Sequence, residues 1–217
     1  MQRLYYAWVV LLLACAAGLV SEKGLVAEEG APFLSAAEQQ IVQELNRARQ
    51  EPRSYAEYLK DSLRYYEGKD LKRPGEPIIQ TQEGRAAVEE AIRYLEKANP
   101  VGPLTVSKGM SQAAKDLVQA EGKKGAAGHV SPDKSGPAER VNRYGRWEKT
   151  MGENLAYGPT KPREVVASLI VDDGVPDRGH RKNIFNPAYH VVGVACGPHS
   201  TFRNMCVMDF AGGYKER

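Results

Sequence analysis

The spacing of apolar residues changes along the chain, and this change constrains the fold more than any other feature. Between residues 35 and 171, apolar residues recur three or four positions apart, a spacing typical of amphipathic helices. After residue 188 the runs 189–196 and 204–210 are rich in β-branched and aromatic residues and flank a turn at Gly197–Ser200. Helices packed on the faces of an antiparallel sheet satisfy both patterns, so the sequence predicts an α+β domain.

Capping residues indicate where individual helices begin. Ser35 and Glu38 have the spacing of a capping box and predict a first helix behind them. Thr160 is predicted to cap a helix that starts at Pro162. The stretch 67–82, rich in Gly, Pro and charge, is predicted to be a loop. Other helices are predicted at about 55–63, 83–98, 107–122 and 137–144.

Length and charge limit the class of protein. A chain of 217 residues suits one domain plus a leader. The formal net charge is +3, and basic and acidic residues are interleaved around residues 60–73. Nucleic-acid-binding proteins concentrate Lys and Arg on one face, so no nucleic-acid partner is predicted.

The N-terminal segment has the composition of an export signal. Arg3 precedes the apolar run 4–14, which is short for a membrane span, and residues 1–27 are therefore predicted to be an export leader and spacer. Leu12-Leu13-Ala14-Cys15 resembles a bacterial lipobox, in which Cys15 would be lipidated and anchor the protein to a membrane. Ordinary cleavage further along the chain is the alternative. Either route predicts a secreted or cell-envelope protein.

The cysteines agree with an exported protein. Without Cys15 the chain retains Cys196 and Cys206, which flank the predicted hairpin turn. Such a pair in an oxidising compartment predicts a disulfide. Two reduced, buried thiols are the alternative.

Four motifs, in this order along the chain, resemble the CAP superfamily of cysteine-rich secretory proteins, antigen 5 and plant pathogenesis-related proteins. They are Asn46-Arg47-Ala48-Arg49, Gly128-His129-Val130-Ser131, Gly152-Glu153-Asn154-Leu155-Ala156 and Gly179-His180-Arg181-Lys182-Asn183-Ile184. The last motif resembles the bacterial branch. The resemblance implies one CAP domain over residues 34–214, folded as an α-β-α sandwich with a central antiparallel sheet.

Two stretches depart from the family pattern. A helical segment at about 59–98 lengthens the chain between the first helix and Pro103, and we interpret it as an insertion. The Trp-rich stretch that the family has before its second His is replaced by 170–174. Asp172 or Asp173 is therefore expected to supply the second carboxylate of the family's two-His, two-Glu cleft.

The resemblance brings His129, Glu153 and His180 into one binding cleft, together with Asp172 or Asp173. His129 and His180 are the candidate ligands for zinc or another divalent cation, because neutral imidazoles and carboxylates bind such ions. The alternative is that both histidines are polar groups hydrogen-bonded to carboxylates.

Two functions remain open at this point. The first is an exported binding module for a lipid, a small hydrophobic or peptide ligand, or a cell-envelope component. The second is a metal-dependent hydrolase or peptidase in which His129, Glu153 and His180 are the candidate catalytic residues. A weaker hypothesis makes Ser131 a nucleophile, although no oxyanion-hole sequence accompanies it. Carboxylates locked in backbone hydrogen bonds would favour binding, whereas a base placed against a metal-bound water would favour hydrolysis.

Overall fold

The structure is a computed structural model that describes residues 31–217. The predicted leader at 1–27, with its lipobox at Cys15, lies outside the described residues. Within the described part of the chain, none of the helices has the length and apolar character needed to cross a membrane.

The described residues form helices and strands in a mixed order. The α-helices are α1 (Ala36–Gln50), α2 (Pro52–Ser62), α3 (Arg85–Lys97), α4 (Lys108–Gly122), α5 (Pro137–Asn142), α6 (Pro162–Val171) and α7 (Gly179–Ile184), and a 3-10 turn covers Leu63–Tyr65. The strands are β1 (Tyr66–Glu67), β2 (Asp70–Leu71), β3 (Ile79–Gln80), β4 (Thr105–Val106), β5 (Gly145–Tyr157), β6 (Val191–His199) and β7 (Arg203–Glu216).

The main sheet has the strand order β4-β6-β7-β5. Strands β6 and β7 pair antiparallel, as predicted. Strand β5 also pairs antiparallel with β7, while the short edge strand β4 pairs parallel to β6. Strand β5, at the other edge, was not predicted, because its sequence alternates poorly between apolar and polar residues. Its 13 residues are extended because they pair with β7 along most of their length.

Helices cover both faces of this sheet, which confirms the predicted α-β-α sandwich. One core cluster joins α1, α2, α3, α6 and α7 to residues of β6 and β7 such as Val192, Met208 and Phe210. The opposite face packs against α4 and α5. Helix α4 approaches β6 so closely that a Cβ at Gly193 would lie 2.2 Å from the carbonyl carbon of Met110, so this position requires Gly.

Three local predictions can be compared with the structure. The capping box at Ser35 and Glu38 is confirmed, since each side chain bonds the other residue's backbone N–H. The capping role of Thr160 is wrong, because Lys161 precedes α6 and no side chain caps the helix. The predicted loop 67–82 holds all but the first residue of the small antiparallel sheet β1-β2-β3, whose pairing a loop-rich composition does not reveal.

The predicted disulfide between Cys196 and Cys206 is confirmed. The two residues face each other in neighbouring strands, with Cα atoms 4.1 Å apart. The turn at Gly197–Ser200 is wrong in detail, because β6 continues to His199. The buried His199 ring bonds the carbonyl of Ala126 at 2.7 Å, which fixes the end of the strand to the loop after α4.

Candidate functional site

Strand β5 positions Glu153, the first carboxylate of the site. Glu153 lies directly opposite Asp209 of β7, and only 1% of its side chain is exposed. Its Oε1 lies 2.7 Å from Nδ1 of His129, and its Oε2 accepts a hydrogen bond from the fully buried Arg140 of α5. A carboxylate only accepts, so Nδ1 of His129 carries the proton and Nε2 remains for a ligand.

Arg140 also holds the loop that carries His129. Its guanidinium donates to the carbonyl of His129 at 2.9 Å and to the carbonyl of Ser135 at 3.0 Å. It also donates to the hydroxyl of Ser131 at 3.2 Å. Arg140 therefore links Glu153 to both ends of the loop, a role that the sequence pattern did not indicate.

Asp209 is a second buried acid that sequence reasoning missed. It is fully buried, and neither of its oxygens makes a hydrogen bond of normal geometry to the described residues. Burial, followed by the nearby Glu153 carboxylate, raises the pKa of Asp209 well above its usual value. A protonated Asp209 next to Glu153 avoids placing two negative charges in one interior site.

The second histidine has its own buried carboxylate. Asp172 ends α6 in a left-handed conformation, and its Oδ1 lies 2.6 Å from Nδ1 of His180. Its Oδ2 accepts the backbone N–H of His180 at 2.9 Å and that of Arg181 at 3.4 Å. Asp172 therefore orients the His180 ring and also holds the first turn of α7.

The structure separates the two aspartates that the sequence left as alternatives. Asp173 accepts the backbone N–H groups of Gln82 and Glu83, at 2.6 and 2.7 Å, and makes no hydrogen bond to His180. Adjacent residues at the end of a helix point in different directions, so only Asp172 can reach the ring. The placement of Asp173 in the predicted cleft is corrected accordingly.

Asn154 connects the two histidine–carboxylate pairs. It follows Glu153 in β5, and its side chain leaves the strand on the opposite face. Its Nδ2 donates to the carbonyl of His180 at 2.9 Å, and its Oδ1 accepts from Asn183 at 2.9 Å. Both pairs are thus attached to one short stretch of the edge strand, although no hydrogen bond joins the two imidazoles.

The donor atoms around the two histidines decide what ligands a metal ion would have there. Zinc in proteins usually has three or four protein ligands. Within residues 31–217, no group of three or more His, Cys, Asp or Glu side chains could hold a metal ion. Glu153 and Asp172 are each bound to an imidazole Nδ1 and to other donors, which leaves the Nε2 atoms of His129 and His180 as the available donors.

A pocket of about 360 Å³ opens beside the His129 loop. Ser131 and Pro132 line one side, and Lys123 and Lys124 at the end of α4 line another. Neither of the two histidines lines this pocket. It is nevertheless large enough for a small ligand next to the site.

The stability contributed by the His129–Glu153 pair should depend on pH. The hydrogen bond to Glu153 raises the pKa of His129 above its usual value. Stabilisation from a raised histidine pKa is complete below about pH 6.5 and is lost as the pH rises through the folded-state pKa. In thermal unfolding with a chelator present, the difference in Tm between wild type and His129→Gln should be larger at pH 5.5 than at pH 9.

The exposed His190, whose side chain makes no hydrogen bond to the described residues, supplies the control for this measurement. His190→Gln should change Tm by the same small amount at both pH values. A difference for His129→Gln that stays constant, or grows with pH, would contradict the pairing.

Comparisons with known proteins support the sequence motifs. The sequence model of the cysteine-rich secretory protein (CAP) family matches residues 42–210. An uncharacterised protein, YkwD of Bacillus subtilis, is 35% identical over 92 residues, which cover 42% of this chain and 34% of that protein. The match therefore spans about a third of the relative's own length.

Two solved structures are also similar. An outer surface protein from Borrelia burgdorferi has a TM-score of 0.44 and 17% identity, over 54% of this chain and 80% of that one. An extracellular protein with an SCP domain from Bacillus anthracis has a TM-score of 0.41 and 15% identity, over 58% of this chain and 37% of that one. These values are too low to carry an argument about function. The match of the family model over most of the chain shows that the protein belongs to the cysteine-rich secretory protein (CAP) family.

Proposed function

We propose that the protein is an exported binding module that holds a small hydrophobic or peptide ligand at the surface around His129 and His180. The observation that carries this proposal is that both site carboxylates are already engaged. Glu153 lies between the guanidinium of Arg140 and the His129 ring, and Asp172 accepts three hydrogen bonds from α7. The two Nε2 atoms are then the polar groups left to orient a ligand.

This engagement argues against hydrolysis. A general base must be free to take a proton from the attacking water. An ionised Glu153 that gained this proton would lose its ion pair with the buried Arg140, which is costly in the interior. Ser131 is buried and its hydroxyl accepts from Arg140, so the weaker hypothesis of a Ser nucleophile has no geometric support.

The surroundings of His129 suit an apolar contact. Val130 follows it and is 59% exposed, one of the most exposed large apolar side chains in the described residues. The His129 side chain is itself 49% exposed. An imidazole donor or acceptor beside an exposed apolar side chain matches a ligand with both polar and apolar groups.

One observation favours the alternative, a metal-dependent hydrolase that uses the same histidines. Imidazoles that bind metals usually donate their other ring nitrogen to a carboxylate, as His129 and His180 do here. The alternative lacks a third protein ligand among the described residues, and Glu153 and Asp172 are already paired with the two imidazoles. Binding of a weakly held divalent cation at the two Nε2 atoms is therefore tested together with binding of organic ligands.

The export part of the proposal is supported by the disulfide and by the family. A bond between Cys196 and Cys206 persists in oxidising compartments and is rare in the cytosol. We propose that the protein acts at the cell envelope or outside the cell. A lipid anchor at Cys15 would restrict it to a membrane surface.

Titration of the purified protein tests the site. The probes are a fluorescent fatty acid, a library of short peptides and zinc chloride, each measured with wild type, His129→Ala/His180→Ala and the control His190→Ala. We expect saturable binding of the fatty acid or of library peptides that weakens at least about tenfold in the double variant and is unchanged in the control. Organic-ligand binding that survives the loss of both imidazoles would contradict the proposal. Saturable zinc binding lost in the double variant, without organic-ligand binding, would favour the alternative.

A further inference from the structure

The segment 59–98 contacts the chain that carries His180 at several points. At the first of them, the carboxylate of Asp173 accepts the backbone N–H groups of Gln82 and Glu83. In return, Oε1 of Glu83 accepts the backbone N–H of Gly174 at 2.8 Å. Each segment, the residues before α3 and those after α6, thus donates hydrogen bonds to the other.

Two arginines beside His180 extend this connection. Arg178 binds Glu83 through both terminal nitrogens, at 2.6 and 2.7 Å, and also donates to the carbonyl of Asp172 at 2.7 Å. Arg181 binds Glu90 of α3 in the same bidentate way, at 2.7 and 2.6 Å, and its Nε donates to the carbonyl of Ile170. A bidentate arginine–carboxylate pair fixes the orientation of the guanidinium as well as its distance from the carboxylate.

The chain between α6 and α7 needs such restraints. Asp172 and Arg178 both have positive φ, 56° and 53°, a conformation that costs free energy for residues other than Gly. Asp172 is the residue that orients the His180 ring, and Arg178 is the residue that immediately precedes α7. Such conformations persist when surrounding contacts hold them in place.

We propose that the segment 59–98 sets the orientation of His180, with Glu83 and Glu90 acting through Arg178 and Arg181 as positioning residues. Neither glutamate bonds the imidazole, so their effect passes through the backbone that carries Asp172 and His180. The arginine partner holds the pKa of Glu83 low, at about 2, and that of Glu90 below its usual value. Both carboxylates are therefore charged at neutral pH.

The other histidine provides an internal comparison. His129 is held by Glu153 and Arg140, and none of the hydrogen bonds in that cluster comes from the segment 59–98. Loosening the segment should therefore disturb His180 and leave His129 unchanged. This inference rests on the proposed function only for the use of His180, since its orientation can be measured without any ligand.

The test is hydrogen exchange followed by NMR on the ligand-free protein, comparing wild type with Glu83→Gln/Glu90→Gln. Nδ1–H and the backbone N–H of His180 both bond Asp172. We expect both N–H groups to exchange about tenfold faster in the variant. The reason is that neutral Gln side chains weaken the charge-assisted hydrogen bonds from Arg178 and Arg181. The Nδ1–H of His129 should exchange at the wild-type rate.

Glu89→Gln is the matched control, because Glu89 lies on the same helix and, among residues 31–217, pairs only with Arg85, at 2.7 Å. It should leave both histidines unchanged. If the double variant does not fold, Glu90→Gln alone keeps the pair between Arg178 and Glu83 and should give a smaller change in the same direction. Wild-type exchange at His180 in a folded variant would overturn the proposal, and so would equal acceleration at His129. Because no ligand is used, either result is independent of the binding titrations.

Discussion

Replacing Arg49 with Met should lower the free energy of unfolding by about 4 kcal/mol, one of the two largest effects that we expect for a single substitution. Arg49 is fully buried at the end of α1, and burial lowers its pKa to about 10, so it stays charged at neutral pH. Its guanidinium donates to four backbone carbonyls, those of Gly102, Ile184, Asn186 and Tyr189. Met would fill most of the volume but leave these carbonyls without their donor.

The measurement is urea unfolding, with Tm as a second observable that should fall by about 10 °C. Arg47→Met is the matched control, because Arg47 lies in the same last turn of α1 but is exposed. The control should cost at most about 1 kcal/mol. Equal losses in the two variants would show that Arg49 contributes charge at the helix end and not the carbonyl contacts.

Replacing Arg140 with Met should destabilise the protein by about 3–5 kcal/mol, because it removes one member of a buried ion pair. Glu153 would keep its buried position next to Asp209 without the guanidinium that now balances its charge. The loop at His129 and Ser135 would also lose a donor to its carbonyls. We therefore expect the His129 ring to lose its defined orientation in the same variant.

A double-mutant cycle separates the ion pair from the loop contacts. Arg140→Met/Glu153→Gln should recover part of the loss, because no uncompensated charge stays in the interior. Arg143→Met is the control, since Arg143 pairs with Asp116 and Asp133 at the surface and should contribute at most about 1 kcal/mol. A double variant less stable than Arg140→Met would contradict the role assigned to the pair.

Local patterns predicted much of the fold. The capping box at Ser35, the helical spacing of α3 and α4, and the hairpin with its disulfide depend on residues close together in sequence, and all are present. Strand β5 was missed because its extended conformation comes from pairing with β7, whose paired residues lie 48 to 71 positions later. The small sheet β1-β2-β3 was missed because two-residue strands have too few side chains to show a period.

The site was predicted in part. The motifs that resemble the family identified His129, Glu153 and His180, and the structure pairs His129 with Glu153. They did not indicate Arg140 or Asp209, because these buried charges lie outside the four motifs and meet Glu153 only across the folded sheet. The only local signal for Arg140 and Asp209 would have been a charged residue at a position where the pattern predicts an apolar core residue.

The sequence by itself determined most of the helices, the last two strands, the family and the cysteine pair, because these depend on periodicity and on motif residues. The tertiary structure decided which carboxylate serves each histidine. Asp172 and Asp173 are identical in type and adjacent in sequence, yet one orients His180 and the other binds the segment before α3. The left-handed turn at Asp172 sends the two side chains in different directions, and contacts with distant residues hold that turn.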